Sequence, residues 1–121
     1  MSSGVDVGVS STYKSHQISY ILWWYIMYLM KPEDFEPWVG RKVRVQAIPT
    51  PVEVTLVRLE RKPIFRGAER EPFSLFFESD ENIVLLDLAY EFDCGRGGPY
   101  SILIAQLKPK PGRRVYQAVF N

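Results

Sequence analysis

The sequence predicts a mainly β fold, a small antiparallel β-sandwich or barrel of about six strands with one short N-terminal helix. Apolar and polar residues alternate in short runs after Gly40, as they do in strands with one buried face. Glycine and proline separate these runs at hairpin-length intervals. A chain of 121 residues suits one domain with one core. We therefore divide it into an extension at 1–29 and a single β domain at 30–121.

Composition narrows the classes of function. The chain has 15 basic and 14 acidic residues and a formal net charge of +1, so it has no overall field that would draw it onto nucleic acid or anionic lipid. Hydrophobic residues make up 46% of the chain and charged residues 24%, which is typical of a folded globular domain. A single cysteine, Cys94, excludes an internal disulfide and suits a reducing compartment. We expect a cytoplasmic protein.

The extension has a polar part followed by an apolar part. Residues 1–12 are small and polar, and we expect them to be disordered. Residues 18–30 are almost entirely apolar, but a helix of this length is shorter than a bilayer core of about 30 Å, so we predict no membrane span. This segment could dock on the domain, could be a signal or anchor, or could precede a genuine start at Met30, which is the interpretation we favour. If it is present and exposed, we expect an association patch formed by Trp23, Trp24 and Tyr25.

A short helix is predicted at 32–39. Pro32 suits the first position of a helix, because that position needs no N–H donor. Glu33 and Asp34 would lie near the positive end of the helix dipole. Gly40 can adopt the left-handed conformation that ends a helix. We expect this helix to plug one end of the β domain.

Two strands are predicted at 41–47 and 52–61. In the first, valine and alanine alternate with lysine, arginine and glutamine, which gives one buried and one exposed face. The change of phase between Leu56 and Val57 in the second strand is the one-residue slip that a β-bulge produces. The inward-facing residues of the second strand are predicted to be Val52, Val54, Leu56, Val57 and Leu59.

The rest of the chain completes the sheet. Gly95, Gly97 and Gly98 predict a tight reversal, because glycine readily adopts positive φ. Further strands or short strand-like elements are predicted, in chain order, at 73–79, 83–86, 89–92, 100–107 and 115–120.

Three stretches of the domain carry a family resemblance: "DFEPWVG" at 34–40, "REPFSLFF" at 70–77 and "YQAVFN" at 116–121. With these stretches, residues 30–121 resemble the small bacterial domain known as domain of unknown function 6916. The resemblance implies a compact β domain with no assigned activity, in some cases encoded beside genes of phage-tail-like particles. The chain departs from this pattern at 82–95, "NIVLLDLAYEFDCG", which is more apolar than the family pattern.

The sequence indicates no catalytic residues, no metal site and no cofactor. The only histidine, His16, lies in the extension, so no histidine-based catalytic or zinc site can form within the domain. Cys94 has no histidine near it in sequence and is interpreted as a turn residue. Glu91 and Asp93 alternate along a strand, as charged residues on any exposed face do. We expect the protein not to be an enzyme.

The strongest candidate for a binding face is a set of basic residues on the first two strands. Side by side, these strands would collect the cations on one surface, as in barrels that bind nucleic acid. We favour the interpretation that these residues belong to a solvated face of mixed charge. The basic residues are Arg41, Lys42, Arg44, Arg58, Arg61 and Lys62. The acidic residues that could pair with them are Glu53, Glu60, Glu69 and Glu71.

These observations favour a non-enzymatic interaction or assembly module. A phage-tail-like particle is one setting in which this module could act. Its partner would be another protein or a second copy of the chain, bound through exposed strand edges or the N-terminal aromatic patch. The alternative is a small nucleic-acid-binding β-barrel that uses the basic face.

Overall fold

The structure is a computed structural model that describes residues 28–64, 66–67 and 70–121. In these residues, seven antiparallel strands form one sheet that curls into a nearly closed barrel. The mainly β class, the barrel form and the short N-terminal helix are confirmed. The predictions for residues 1–27, including the aromatic patch, lie outside the described residues. The elements are α1 (Pro32–Phe35), a 3-10 helix (Glu36–Trp38), β1 (Lys42–Val45), β2 (Val52–Arg61), β3 (Phe73–Asp80), β4 (Ala89–Asp93), β5 (Tyr100–Leu103), β6 (Ala105–Gln106) and β7 (Arg113–Phe120).

The strand order explains how the barrel closes. The order is β5-β4-β1-β2-β3-β7-β6, so β5 and β6 are the two edges. Both edges belong to one stretch, 100–106, which bends at the buried Ile104. The Ile104 N–H donates to the Leu88 carbonyl oxygen at 3.1 Å. The single strand predicted at 100–107 is therefore wrong, because the bend lets its two halves pair with different neighbours, β4 and β7.

The first two strands keep their predicted order and pairing. β1 is shorter than the predicted 41–47, since β2 begins at Val52 opposite Val45, where the ladder ends. β2 has the predicted limits, 52–61. The predicted β-bulge is confirmed by a register shift between Leu56 and Arg58. Val57 is the extra residue of this bulge and is 38% exposed, so the prediction that it faces inward is wrong.

The predicted caps hold the short helix in place. The Lys31 N–H donates to Asp34 Oδ2 at 2.9 Å, which satisfies a donor that precedes the first turn. Pro32 occupies the first helical turn. Gly40, with φ of +83°, ends the helical segment in the left-handed region.

Aromatic rings plug the end of the barrel beneath α1, which we call the helix end. Phe35 and Trp38 are fully buried. The Phe35 ring centroid lies 5.1 Å from those of Trp38 and Tyr100 and 5.6 Å from that of Phe120. Trp38 Nε1 donates to the Arg96 carbonyl oxygen at 2.8 Å, so its one polar group is satisfied. The predicted plug is confirmed.

Residues 81–88 close the opposite end of the barrel, and we call them the distal lid. They connect β3 to β4, and because β1 and β2 lie between these strands in the sheet, the lid must cross the end of the barrel. Leu85 is 3% exposed and belongs to the core. It is the distal counterpart of the aromatic plug.

Tyrosine hydroxyls hold the lid. The Leu85 N–H donates to the Tyr116 hydroxyl at 2.9 Å, and this hydroxyl donates to the Ile83 carbonyl oxygen at 3.0 Å. The Leu86 N–H donates to the Tyr90 hydroxyl at 3.0 Å. The strand-like element predicted at 83–86 is therefore wrong, because side chains take the backbone hydrogen bonds that a neighbouring strand would make. The strand predicted at 89–92 is confirmed as β4.

Candidate functional site

The predicted basic face is divided between two parts of β2. Lys42 lies opposite Thr55 and Arg44 opposite Glu53, so the basic residues of β1 face the first half of β2. Arg58 lies past the bulge and opposite Phe76 of β3. The antiparallel register therefore keeps the basic residues of the two strands apart instead of side by side.

Acidic neighbours accompany the basic residues of the outer face. Lys42 Nζ lies 4.0 Å from Glu53 Oε1, and Arg58 Nε lies 3.3 Å from Glu60 Oε2. All four of these side chains are at least half exposed, so each pair contributes little to stability. Arg44 lies in register between Glu53 of β2 and Asp93 of β4. The outer face therefore carries mixed charge, as the favoured interpretation expects.

Arg61 faces the helix end and not the outer surface. After the bulge it shares a phase with Leu59, and it lies opposite the buried Phe73. Its guanidinium contacts three carboxylates, with Nη1 3.3 Å from the nearest oxygen of Glu33 and 2.7 Å from that of Glu71, and with Nη2 bonded to Glu36. These contacts tie the end of β2 to the helical segment.

The charges of this cluster shift two pKa values. Hydrogen bonds to Glu36 and then Glu33 raise the pKa of Arg61. A backbone hydrogen bond and then the Arg61 contact lower the pKa of Glu33.

The two remaining basic residues of the predicted face, Arg41 and Lys62, make backbone contacts. The Arg41 carbonyl oxygen accepts from the Leu56 N–H, and the Lys62 N–H donates to the Pro72 carbonyl oxygen.

A shallow groove of about 330 Å³ runs along the outer face of β2, β3 and β7, beside the bulge. We call it the outer groove. Its floor comes from β3 and β7, and its cationic walls come from β2 and from the loop between β6 and β7. The groove is lined by Val57, Arg58, Phe76, Glu78, Leu107, Lys108, Lys110 and Val115.

The floor of the outer groove is unusual because its side chains point outward but are covered. Phe76, Glu78 and Val115 are each less than a tenth exposed. The Arg58 guanidinium carbon lies 4.0 Å above the centre of the Phe76 ring, a cation–π geometry. The bulge re-aims β2 at this point, so that both Val57 and Arg58 are exposed beside the floor.

Glu78 anchors two cations at one side of the outer groove. Lys110 Nζ donates to its Oε2 at 2.8 Å, and Arg113 Nη1 donates to its Oε1 at 3.0 Å. The hydrogen bond from Lys110, followed by that from Arg113, lowers the pKa of the Glu78 carboxyl. Two cations of the same chain thus compensate the negative charge of Glu78.

The distal lid presents a row of exposed aliphatic side chains. Val84, Leu86 and Leu88 are each more than half exposed, while Leu85 between them is buried. Leu103 pairs with Ala89 at the start of β4 and is 41% exposed beside the lid. The sequence interpretation missed this surface because it assigned 83–86 to the sheet. The signal was present as apolar residues in both phases of the alternation at 83–86.

The residues weighed as catalytic candidates have structural contacts. Cys94 Sγ lies 3.6 Å from the Lys42 carbonyl oxygen. Asp93 Oδ1 accepts from the Gly95 N–H at 2.9 Å and stabilises the predicted glycine turn. Glu91 is exposed on β4, and its carbonyl oxygen accepts from Gln46.

In residues 28–64, 66–67 and 70–121, no three His, Cys, Asp or Glu side chains are grouped as metal ligands would be. Within the same ranges, no helix has both the length and the apolar character needed to cross a bilayer.

One family comparison gives a match. The model of a family described as a domain of unknown function (DUF6916) matches residues 30–120. No curated protein and no solved structure matches the chain.

Proposed function

This chain belongs to the family described as a domain of unknown function (DUF6916), and from that premise we propose that it is a non-enzymatic interaction or assembly module that binds through its distal lid. The exposed row of Val84, Leu86 and Leu88 carries the proposal. Fully burying an exposed valine or leucine side chain contributes about 1.5–3 kcal/mol. These side chains are 51–65% exposed, so a partner that covers the row gains part of that free energy at each of them.

The lid cannot hide these side chains by rearranging locally. Ile83 and Leu85 already face the core, and the hydroxyls of Tyr116 and Tyr90 hold the backbone between them. The Gln106 N–H also donates to Asp87 Oδ1 at 2.9 Å, which ties the lid to β6. A rigid aliphatic row is a suitable contact surface, because little conformational entropy is lost when it is covered.

Other contact routes have less support. The edge strands, β5 and β6, span only Tyr100–Leu103 and Ala105–Gln106, and short edges offer few backbone groups to a partner strand. The patch of Trp23, Trp24 and Tyr25 remains a prediction. A phage-tail-like particle as the setting is supported by the family resemblance alone, and a cytoplasmic location by the single cysteine.

The nucleic-acid alternative has weaker support than the lid. Arg58 and Arg61 contact carboxylates, and the Phe76 ring is covered by Arg58, so it is not free to stack on a base. A salt titration of single-stranded oligonucleotide binding separates the two functions, since phosphate contacts make affinity fall steeply with salt. We expect no binding at low salt.

The experiment that tests the proposal uses the full chain and two matched variants. Leu86→Asp places a charge in the aliphatic row, and Ile64→Asp places the same charge in the β2–β3 loop. The two residues are 65% and 64% exposed, so neither variant should disturb the fold. Sedimentation velocity over a range of concentrations measures self-association, and affinity capture identifies other protein partners.

We expect wild type and Ile64→Asp to associate with themselves or with a captured partner. We expect Leu86→Asp to bind at least tenfold more weakly, which corresponds to about 1.4 kcal/mol. Equal behaviour of the two variants, or a wild-type chain with neither self-association nor a partner, would contradict the proposal.

A further inference from the structure

We propose that the distal lid of one molecule docks in the outer groove of a second copy of the chain. This inference rests on the proposed function, because it takes the lid as the contact surface and names what the lid binds. The lid and the groove are different surfaces, so the contact is head to tail.

The outer groove offers an apolar floor with cations around it. Arg58, Lys108 and Lys110 stand beside the apolar side chains of the groove. The single carboxylate of the groove, Glu78, is already bonded to Lys110 and Arg113. Lys108 is exposed. Arg58 is paired with Glu60, so the positive charge left over comes from Lys108 and from the second of the two cations that share Glu78. This charge suits an acidic ligand that also carries apolar side chains.

The distal lid has the matching chemistry. It combines the exposed aliphatic row with Glu81 and Asp87, and residues 81–88 include no lysine or arginine. Arg114 Nε donates to the carbonyl oxygen of Glu81 at 2.7 Å, so one cation lies beside the lid, and Glu81 is exposed. Asp87 uses Oδ1 for the Gln106 N–H. Acidic groups flanking an aliphatic row are complementary to an apolar groove flanked by cations.

The contact has a consequence for symmetry. When two different surfaces of one chain bind each other, the bound pair still presents one free lid, on one copy, and one free groove, on the other. Repetition of this contact forms a ring or a filament. A lid-to-lid contact, in contrast, would stop at a dimer.

Two further variants of the full chain test the groove. Lys108→Glu reverses a charge at the groove, and Arg96→Glu makes the same change in charge at an exposed residue of the β4–β5 turn. We expect self-association of Lys108→Glu to be at least tenfold weaker than that of wild type, and that of Arg96→Glu to be unchanged. Sedimentation velocity gives both values.

Mixing the lid and groove variants gives the decisive result. Leu86→Asp keeps a working groove, and Lys108→Glu keeps a working lid, so an equimolar mixture should form a one-to-one dimer and nothing larger. Either variant alone should be monomeric at the same concentration. Light scattering coupled to size exclusion distinguishes these species.

The outcomes separate this inference from the proposed function. If Leu86→Asp blocks association but Lys108→Glu does not, or if the mixture stays monomeric, the lid has another occupant and this inference is overturned while the proposed function stands. If the wild-type chain stays monomeric but binds a different protein through the lid, this inference is likewise overturned and the proposed function stands. Loss of oligonucleotide binding alone in Lys108→Glu would assign the groove to nucleic acid and also overturn the inference. If wild type binds neither itself nor a partner, both proposals fail.

Discussion

Buried apolar side chains close both ends of the barrel, but the outer surfaces of the two ends differ. At the helix end, Phe35 and Trp38 fill the interior, and the outside carries Arg61 bonded to three glutamates, with the exposed Leu29 and Val39 at either side of the helical segment. At the distal end, Leu85 fills the interior, and the outside is a row of aliphatic side chains. The comparison teaches that closing a barrel end does not require an apolar exterior, so the distal exterior needs an explanation of its own.

The patterns of the two segments account for the difference. The helical segment carries Glu33 and Glu36 on the side away from the core, where their carboxylates remain in water. The lid is apolar in both phases of its alternation from Ile83 to Leu86. An extended segment can bury only one phase, so the second phase must be exposed or covered by a partner.

The largest effect should come from removing the aromatic plug. Trp38→Ala deletes a fully buried ring and leaves the Arg96 carbonyl oxygen without its donor, so we expect a loss of about 3–5 kcal/mol in the free energy of unfolding. Denaturant unfolding of the full chain measures this loss. Val39→Ala, at the exposed neighbouring residue, should change stability by less than about 0.5 kcal/mol. Similar losses for the two variants would show that Trp38 is not the plug.

The distal plug should be the second most sensitive residue. Leu85→Ala removes a side chain that is 3% exposed, and we expect a loss of about 2–4 kcal/mol in the free energy of unfolding. Its control, Leu86→Ala, changes the next residue, which is 65% exposed, and should stay within about 0.5 kcal/mol of wild type. Leu86→Ala should weaken association instead. A loss of stability at Leu86 and none at Leu85 would reverse our assignment of the two faces of the lid.

Removing a hydroxyl from the lid should have an intermediate effect. Tyr116→Phe leaves the Leu85 N–H and the Ile83 carbonyl oxygen without their partner, so we expect a loss of about 1–2 kcal/mol in the free energy of unfolding. Tyr90→Phe removes the acceptor for the exposed Leu86 N–H, which water can replace, and should cost less. Both values follow from denaturant unfolding. An equal cost at the two tyrosines would argue against a difference in burial between the two hydrogen bonds.

The smallest effect concerns acid stability. Lys110 and then Arg113 lower the pKa of Glu78 in the folded chain, so its carboxylate stabilises the fold above the unfolded-state pKa. This contribution is lost as the pH falls through the folded-state pKa. The unfolding free energy of Glu78→Gln should therefore fall less than that of wild type between neutral pH and pH values near the carboxyl pKa.

Glu33→Gln provides the comparison at the helix end. A backbone hydrogen bond and then Arg61 also lower the pKa of Glu33, so the sign of the pH dependence is the same. The side chain of Glu33 is 62% exposed, against 9% for Glu78, and solvent screening should make the difference from wild type smaller. Urea titrations at several pH values measure both differences. A larger pH effect at Glu33 would show that exposure does not control these contributions.

Much of the fold could be predicted because its determinants are local. Alternation identified the two strands of the first hairpin, and the phase slip at Val57 identified the bulge. Gly40 and Asp34 marked the ends of the helical segment. Each of these features depends on residues within one or two turns or a single strand, so the sequence pattern carries it directly.

The candidate site could be predicted only in part. The basic residues on β1 and β2 were found, but their separation depends on where the antiparallel ladder starts and on the phase change after the bulge. That phase change turns Arg61 toward the helix end. The lid escaped prediction because Tyr116, which holds Leu85, comes 31 residues later in the chain, and no local pattern reports such a bond.

The sequence alone determined the β class, the helical plug and the order of the strands along the chain, because side-chain period and backbone caps act between near neighbours. Only the tertiary structure decided which edges meet at Ile104, which residues line the outer groove and which side of the lid faces water. These outcomes depend on hydrogen bonds and packing between residues far apart in the chain. They exist only once the sheet has curled and brought those residues together.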